Sequence, residues 1–112
     1  MFKFSIFNLF RKKSGDYQNI TLEEFNDLRT KEGYVVLDVR APKELANGQV
    51  PGHVQINFMS SDFKSEVQSL DKSRKYLVHC KSGNRSAKAC AMMADMGFEV
   101  YNFQGGMDAW KA

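Results

Sequence analysis

Lys75-Tyr76-Leu77-Val78-His79-Cys80-Lys81-Ser82-Gly83-Asn84-Arg85-Ser86 is the run that fixes the architecture of the chain. Residues 75–79 read as a strand that delivers Cys80. Lys81–Arg85 reads as a polar loop containing one glycine, and Ser86–Met96 as a helix. Gly97 stands where a left-handed helix stop belongs, with Phe98 ready for the apolar contact that accompanies it. Val100-Tyr101-Asn102-Phe103 then reads as a further strand.

The same alternation extends in both directions. Upstream, Tyr17–Ile20 reads as a short strand. Thr21-Leu22-Glu23-Glu24 is a capping box, which predicts a helix from Thr21 to about Lys31. Leu22, Phe25 and Leu28 supply its apolar face, and Gly33 stops it. Tyr34-Val35-Val36-Leu37 is a continuous apolar run, the pattern of a strand buried on both faces of a parallel sheet. It leads into Asp38-Val39-Arg40. Pro42 fits the first turn of a short helix through Lys43, Glu44 and Leu45. Asn47-Gly48 and Pro51-Gly52 are turn signals. His53–Phe58 holds another short strand, and Ser60 or Ser61 caps a helix containing Phe63, Val67 and Leu70. Downstream, Gly105-Gly106 turns into a last short helix with Trp110. Strands alternating with helices predict an α/β fold, a parallel sheet covered by helices on both faces. In such sheets the site lies at the carboxyl ends of the strands. Two segments put reactive groups there: Asp38-Val39-Arg40 and Cys80–Arg85.

Composition agrees with a single domain. The chain has 112 residues, 43% hydrophobic and 26% charged, with no run near the ~18 apolar residues that cross a bilayer. Its formal charge is +3, but residues 1–13 carry +4 and residues 14–112 carry −1. The globular part is nearly neutral, so nucleic acid is not an expected partner. We divide the chain into a basic, aromatic tail or helix at residues 1–15 and a domain at residues 16–112. Two readings are open for the tail: a weak anchor on an anionic membrane surface, or a helix packed on the domain.

Cys80 and Cys90 are the two cysteines. Ten mostly helical positions would place their alpha carbons roughly 15 Å apart, and a disulfide needs less than about 7 Å. Both read as free thiols, which suits a reducing, cytoplasmic setting. The histidines are His53 and His79, and no Cys-x-x-Cys pair exists, so no metal site and no cofactor are expected.

The chemistry is concentrated in the loop. A tight turn entering a helix points successive backbone N–H groups inward, and the helix dipole adds partial positive charge. Gly83 permits the turn, while Lys81 and Arg85 bring full charges. A cysteine at the mouth of such a cradle has a depressed pKa and is an activated nucleophile beside a pocket for a negative group.

Cys80-x-x-Gly83-x-Arg85-Ser86, Leu37-Asp38-Val39-Arg40 with Glu44, Val50-Pro51-Gly52, and Gly105-Gly106 with Trp110 occur in an order that resembles the rhodanese domain. The resemblance runs from about Tyr17 to Lys111. It departs at Gln49, where the family often has His, and at His53, where it often has Ala. It implies a three-layer α/β/α sandwich around a five-stranded, mostly parallel sheet, and a thiosulfate:cyanide-type sulfurtransferase. Cys80 would be the sulfur-carrying nucleophile, forming a persulfide. Lys81, Ser82, Gly83, Asn84, Arg85 and Ser86 would bind a small anionic sulfur donor such as thiosulfate, and a thiol, a protein or cyanide would accept the sulfur. Asp38, Arg40 and Glu44 would stand behind the loop, tying strand ends and loops together. Two rivals share the scaffold. One is a phosphatase or arsenate reductase, but the related phosphatases have five residues between Cys and Arg, where this loop has four. The other is a non-catalytic binding module, whose members commonly lack the cysteine.

Overall fold

A computed structural model describes residues 16–110. The expectations for the tail at residues 1–15 lie outside the described residues. Among the described residues five strands form one sheet: β1 (Gln18–Ile20), β2 (Tyr34–Asp38), β3 (Val54–Gln55), β4 (Lys75–His79) and β5 (Glu99–Phe103). Their order across the sheet is β1-β5-β4-β2-β3. Every pairing is parallel, with Leu37 opposite Val78 and Tyr76 opposite Val100 in the central strands. The expected mostly parallel sheet is thus wholly parallel. Helices α1 (Leu22–Leu28), α2 (Phe63–Gln68), α3 (Asn84–Asp95) and α4 (Gly106–Ala109) connect and cover it, with a 3₁₀ turn at Pro42–Asn47.

Strand periodicity explains the layers. Successive side chains point to opposite faces, so the central strands need apolar residues at nearly every position. Leu37, Tyr76 and Val78 face one core with Phe63 and Val67 of α2 and Ala89, Cys90 and Met93 of α3. Val36 and Leu77 face the other, with Phe25 and Leu28 of α1, Phe103, and Trp110 at its edge. Phe25 stacks on Phe103 with ring centroids 4.3 Å apart. Burying each side chain of this size stabilises the fold by about 1.5–3 kcal/mol.

Local signals set most element ends. The Thr21 hydroxyl accepts from the Glu24 amide at 3.1 Å, and the Glu24 carboxylate accepts from the Thr21 amide at 2.9 Å, which completes the capping box. At the other end of the chain, Gly97 N–H donates to the Ala94 carbonyl and Phe98 N–H to that of Met93, closing α3 in a Schellman motif. Phe98 then packs edge-on against Tyr76.

Several boundaries differ from expectation. Helix α1 ends at Leu28, because the Lys31 amide bonds to the Leu28 carbonyl and tightens the exit toward β2. The segment after Pro42 is 3₁₀ and runs on to Asn47. Neither Ser60 nor Ser61 caps α2: Asp62 holds that position, since the Ser60 hydroxyl accepts from the Asp62 amide in a turn of its own. Helix α3 starts two residues early, at Asn84, with Gly83 as its N-cap. That last shift shortens the loop after Cys80.

Candidate active site

The carboxyl ends of β2 and β4 lie side by side, Asp38 opposite His79, so the two reactive segments expected at strand ends meet. Cys80 follows β4 directly, and its side chain is buried, 1% exposed. It therefore sits at the floor of the loop rather than at its mouth. The sulfur is held by its own loop. Gly83 N–H donates to Cys80 Sγ at 3.1 Å, and Ser86 Oγ lies 3.4 Å away. Burial pushes the thiol up, but the Ser86 hydroxyl and the backbone N–H groups of Ser86, Gly83 and Ser82 outweigh it and draw the pKa below the ordinary thiol value.

The tightness of the turn is a backbone matter. Gly83 has φ +98°, and a Cβ there would stand 2.4 Å from the Gln104 carbonyl oxygen. On the opposite wall, the Met107 and Asp108 amides donate to the carbonyls of Cys80 and Lys81, each at 3.0 Å. A Cβ on Gly106 would lie 2.5 Å from the Lys81 carbonyl oxygen and 2.7 Å from that of Cys80. Gly83 and Gly106 thus let the segment after β5 clamp the cysteine loop without a side chain between them.

Three polar residues buttress this arrangement. Asp38 accepts from Arg40 through the backbone amide at 3.0 Å and through the guanidinium at 2.7–3.1 Å. Arg40 also donates to the carbonyls of Glu44 and Gly48, at 3.1 and 2.9 Å. Both residues are buried and mutually satisfied, so they tie the end of β2 to the 3₁₀ turn. Burial raises the Asp38 carboxyl, but the Arg40 hydrogen bonds hold it below the ordinary carboxylate value. Glu44 reaches the other way. It accepts bidentately from Arg85 at 2.7 and 3.0 Å and from the Ala41 amide at 3.0 Å. The Arg85 bonds bring its pKa down from 4.5 to about 2.

His79 lies behind the cysteine, edge-on to Phe25 and tilted against Phe103. A carbonyl oxygen only accepts, so His79 Nδ1–H is the donor in its 3.3 Å contact with the Cys80 carbonyl. Burial lowers its pKa and favours the neutral ring. Its Nε2 has no hydrogen-bond partner and stands 3.8 Å from the Asp38 carboxylate.

Of the expected loop residues, Gly83 and Ser86 are buried against the sulfur, while Lys81, Ser82 and Asn84 are exposed. The full positive charge expected of Arg85 is balanced by Glu44, and that of Lys81 by Asp108, whose Oδ1 lies 2.8 Å from Lys81 Nζ. A cleft of about 240 Å³ opens beside the loop, lined by Arg40, Glu44, Asn47, Lys81, Met107 and Asp108. Asn47 was legible only as part of a turn, and Met107 and Asp108 had no sequence signal, because only the adjacency of β5 and β4 brings α4 to the loop. Cys90 is free and buried, and burial pushes its thiol far up, so it is inert packing. Among the described residues no three His, Cys, Asp or Glu side chains cluster as metal ligands would, and no helix is long and apolar enough to cross a membrane.

This arrangement places a cysteine sulfur at a strand end, its pKa drawn below the ordinary thiol value by the Gly83 amide and the Ser86 hydroxyl beside it. Comparison with known proteins points the same way. A family model described as the rhodanese-like domain matches residues 21–112. The thiosulfate sulfurtransferase GlpE of Pseudomonas putida is 35% identical over 99 residues, 87% of this chain and 87% of that protein. A sulfurtransferase of Allochromatium vinosum is 32% identical over 84 residues, 74% of this chain and 77% of its own length. Among solved structures, a rhodanese-related protein of Thermoplasma volcanium superposes with a TM-score of 0.76 at 31% identity, covering 84% of this chain and 90% of that one.

Proposed function

We propose, from the premise that the chain belongs to the rhodanese-like domain family, that it is a sulfurtransferase working through a persulfide on Cys80. We assign the catalytic domain to residues 16–112 and keep residues 1–15 as a basic, aromatic tail or helix appended to it. Thiosulfate or a persulfide is the donor, and cyanide or a thiol is the acceptor. The two free thiols suit a reducing, cytoplasmic setting.

Two exchanges complete the cycle. The Cys80 thiolate attacks the outer sulfur of thiosulfate. The S–S bond of the donor breaks, and sulfite leaves with the electron pair. Cys80 now carries the outer sulfur as a persulfide anion, one sulfur further along the same axis. An acceptor nucleophile attacks that outer sulfur, the new S–S bond breaks, and the thiolate returns. Thiocyanate or a new persulfide departs. Charge is conserved at each step, so the loop has to hold one negative charge on sulfur throughout. Preorganised N–H donors do this without rearranging.

The observation that carries the reading is the 3.1 Å bond from the Gly83 amide to Cys80 Sγ in a loop closed by Ser86. Only four residues separate Cys80 from Arg85. That makes a cradle for a single sulfur in preference to a tetrahedral phosphoryl group. Exposure to thiosulfate should add about 32 Da, one sulfur, to wild-type Cys80, and nothing to Cys80→Ser. Initial-rate lines at several acceptor concentrations should be parallel. No adduct on the wild type, or the same adduct on the serine variant, overturns the proposal.

A further inference from the structure

Both cations beside Cys80 are engaged, but not equally. The Arg85–Glu44 pair is bidentate, with side chains 27% and 22% exposed. The Lys81–Asp108 pair makes one contact of 2.8 Å, with side chains 64% and 52% exposed. An exposed single-contact pair costs little to open, whereas a half-buried bidentate one costs more. Lys81 is therefore the cation that an incoming anion can recruit.

Asp108 is well placed to contest it. Its backbone amide donates to the Lys81 carbonyl at 3.0 Å, so the residue that neutralises the lysine head is also fixed to the lysine backbone. Lys81 and Asp108 together line the cleft beside the loop. An anion entering that cleft must displace the Asp108 carboxylate from Lys81 or lie beside a pair with no net charge. A neutral reactant meets no such competitor.

We infer that Asp108 is a specificity-determining residue: by competing for Lys81, it sets how strongly the site favours anionic over neutral reactants at Cys80. This deepens the sulfurtransferase reading and rests on it for the nature of the donor. Its effect is to restrain capture of small anions such as thiosulfate, and so to leave room for uncharged or larger sulfur carriers.

Two alkylating reagents of similar size test it without any sulfur transfer. Iodoacetate is an anion and iodoacetamide is neutral, and their rates at the Cys80 peptide of the full chain can be followed by mass spectrometry. Asp108→Asn should raise the iodoacetate-to-iodoacetamide rate ratio by about threefold, the size an exposed pair supports. The gain should fade toward ~1 M salt. Asp95→Asn removes the same charge from the last position of α3, roughly 15 Å or more along the helix from the loop, and should leave the ratio as in the wild type. In steady state, Asp108→Asn should lower KM for thiosulfate by about threefold, with the change falling on KM rather than kcat. A ratio unchanged in Asp108→Asn, or changed equally by Asp95→Asn, overturns the inference. If the wild type transfers no sulfur, the sulfurtransferase reading falls alone, because the alkylation ratio still tests Asp108.

Discussion

Cys80 shows how one side chain's chemistry is set by its neighbours' backbones. A thiol 1% exposed would ordinarily be weakly acidic and inert, as Cys90 is. At Cys80 the Gly83 amide and the Ser86 hydroxyl reverse the outcome, because each stabilises the charged form. The rate of reaction with iodoacetamide should therefore rise with pH to a midpoint below that of an unperturbed thiol. Ser86→Ala removes one donor, so its midpoint should move upward. At neutral pH less thiolate remains, and sulfur loading from thiosulfate should slow by about threefold to tenfold, the range for one lost hydrogen bond. An identical pH–rate profile for the two proteins would show that the hydroxyl contributes nothing.

Between elements, the Glu44–Arg85 pair is the cross-brace. It joins the 3₁₀ turn at Pro42–Asn47 to the first turn of α3, 41 positions later in the chain. Glu44→Gln keeps the shape but leaves the Arg85 guanidinium without its counter-charge. We expect a loss of about 1–2 kcal/mol, between the worth of an exposed pair and that of a buried one. The sign of the pH dependence follows from the lowered carboxyl pKa. A carboxyl depressed in the folded state contributes its full stability above its ordinary pKa of 4.5 and loses it as pH falls toward about 2. Urea melts at stepped pH should thus show the wild-type advantage over Glu44→Gln at neutrality, shrinking across that acid window.

At the level of the whole molecule, one sheet separates two cores and carries the site at the carboxyl ends of its central strands. The central strands face both cores, so a defect in them weakens the platform under Cys80 as well as the layer it belongs to. Leu77 is fully buried in β4, three residues before Cys80. Leu77→Ala should cost about 2–5 kcal/mol through lost burial and the cavity left behind. In urea the midpoint should fall while the slope stays the same, as for a two-state domain that loses stability without changing its compactness. Sulfur loading by the fraction still folded should be little altered, because the loop donors to Cys80 come from the turn and α3.

Much of this was legible in local pattern. The continuous apolar run at Tyr34–Leu37 requires a strand covered on both faces. The capping box at Thr21, the stop at Gly97 and the bond from the Gly83 amide to the Cys80 sulfur are set by residues close in sequence, through backbone sterics and short-range hydrogen bonds. The roles of the charged residues were not legible in the same way. That Glu44 answers Arg85, and that Asp108 reaches Lys81 across 27 positions, follows from strands β2, β4 and β5 lying side by side, an adjacency no local pattern encodes. Short-range forces specified the elements and the turn at Gly83, while the clamp on the Cys80 loop comes from the segment after β5. Long-range packing specified which partners the charges beside it take, because ion pairing depends on distances in space and not along the chain.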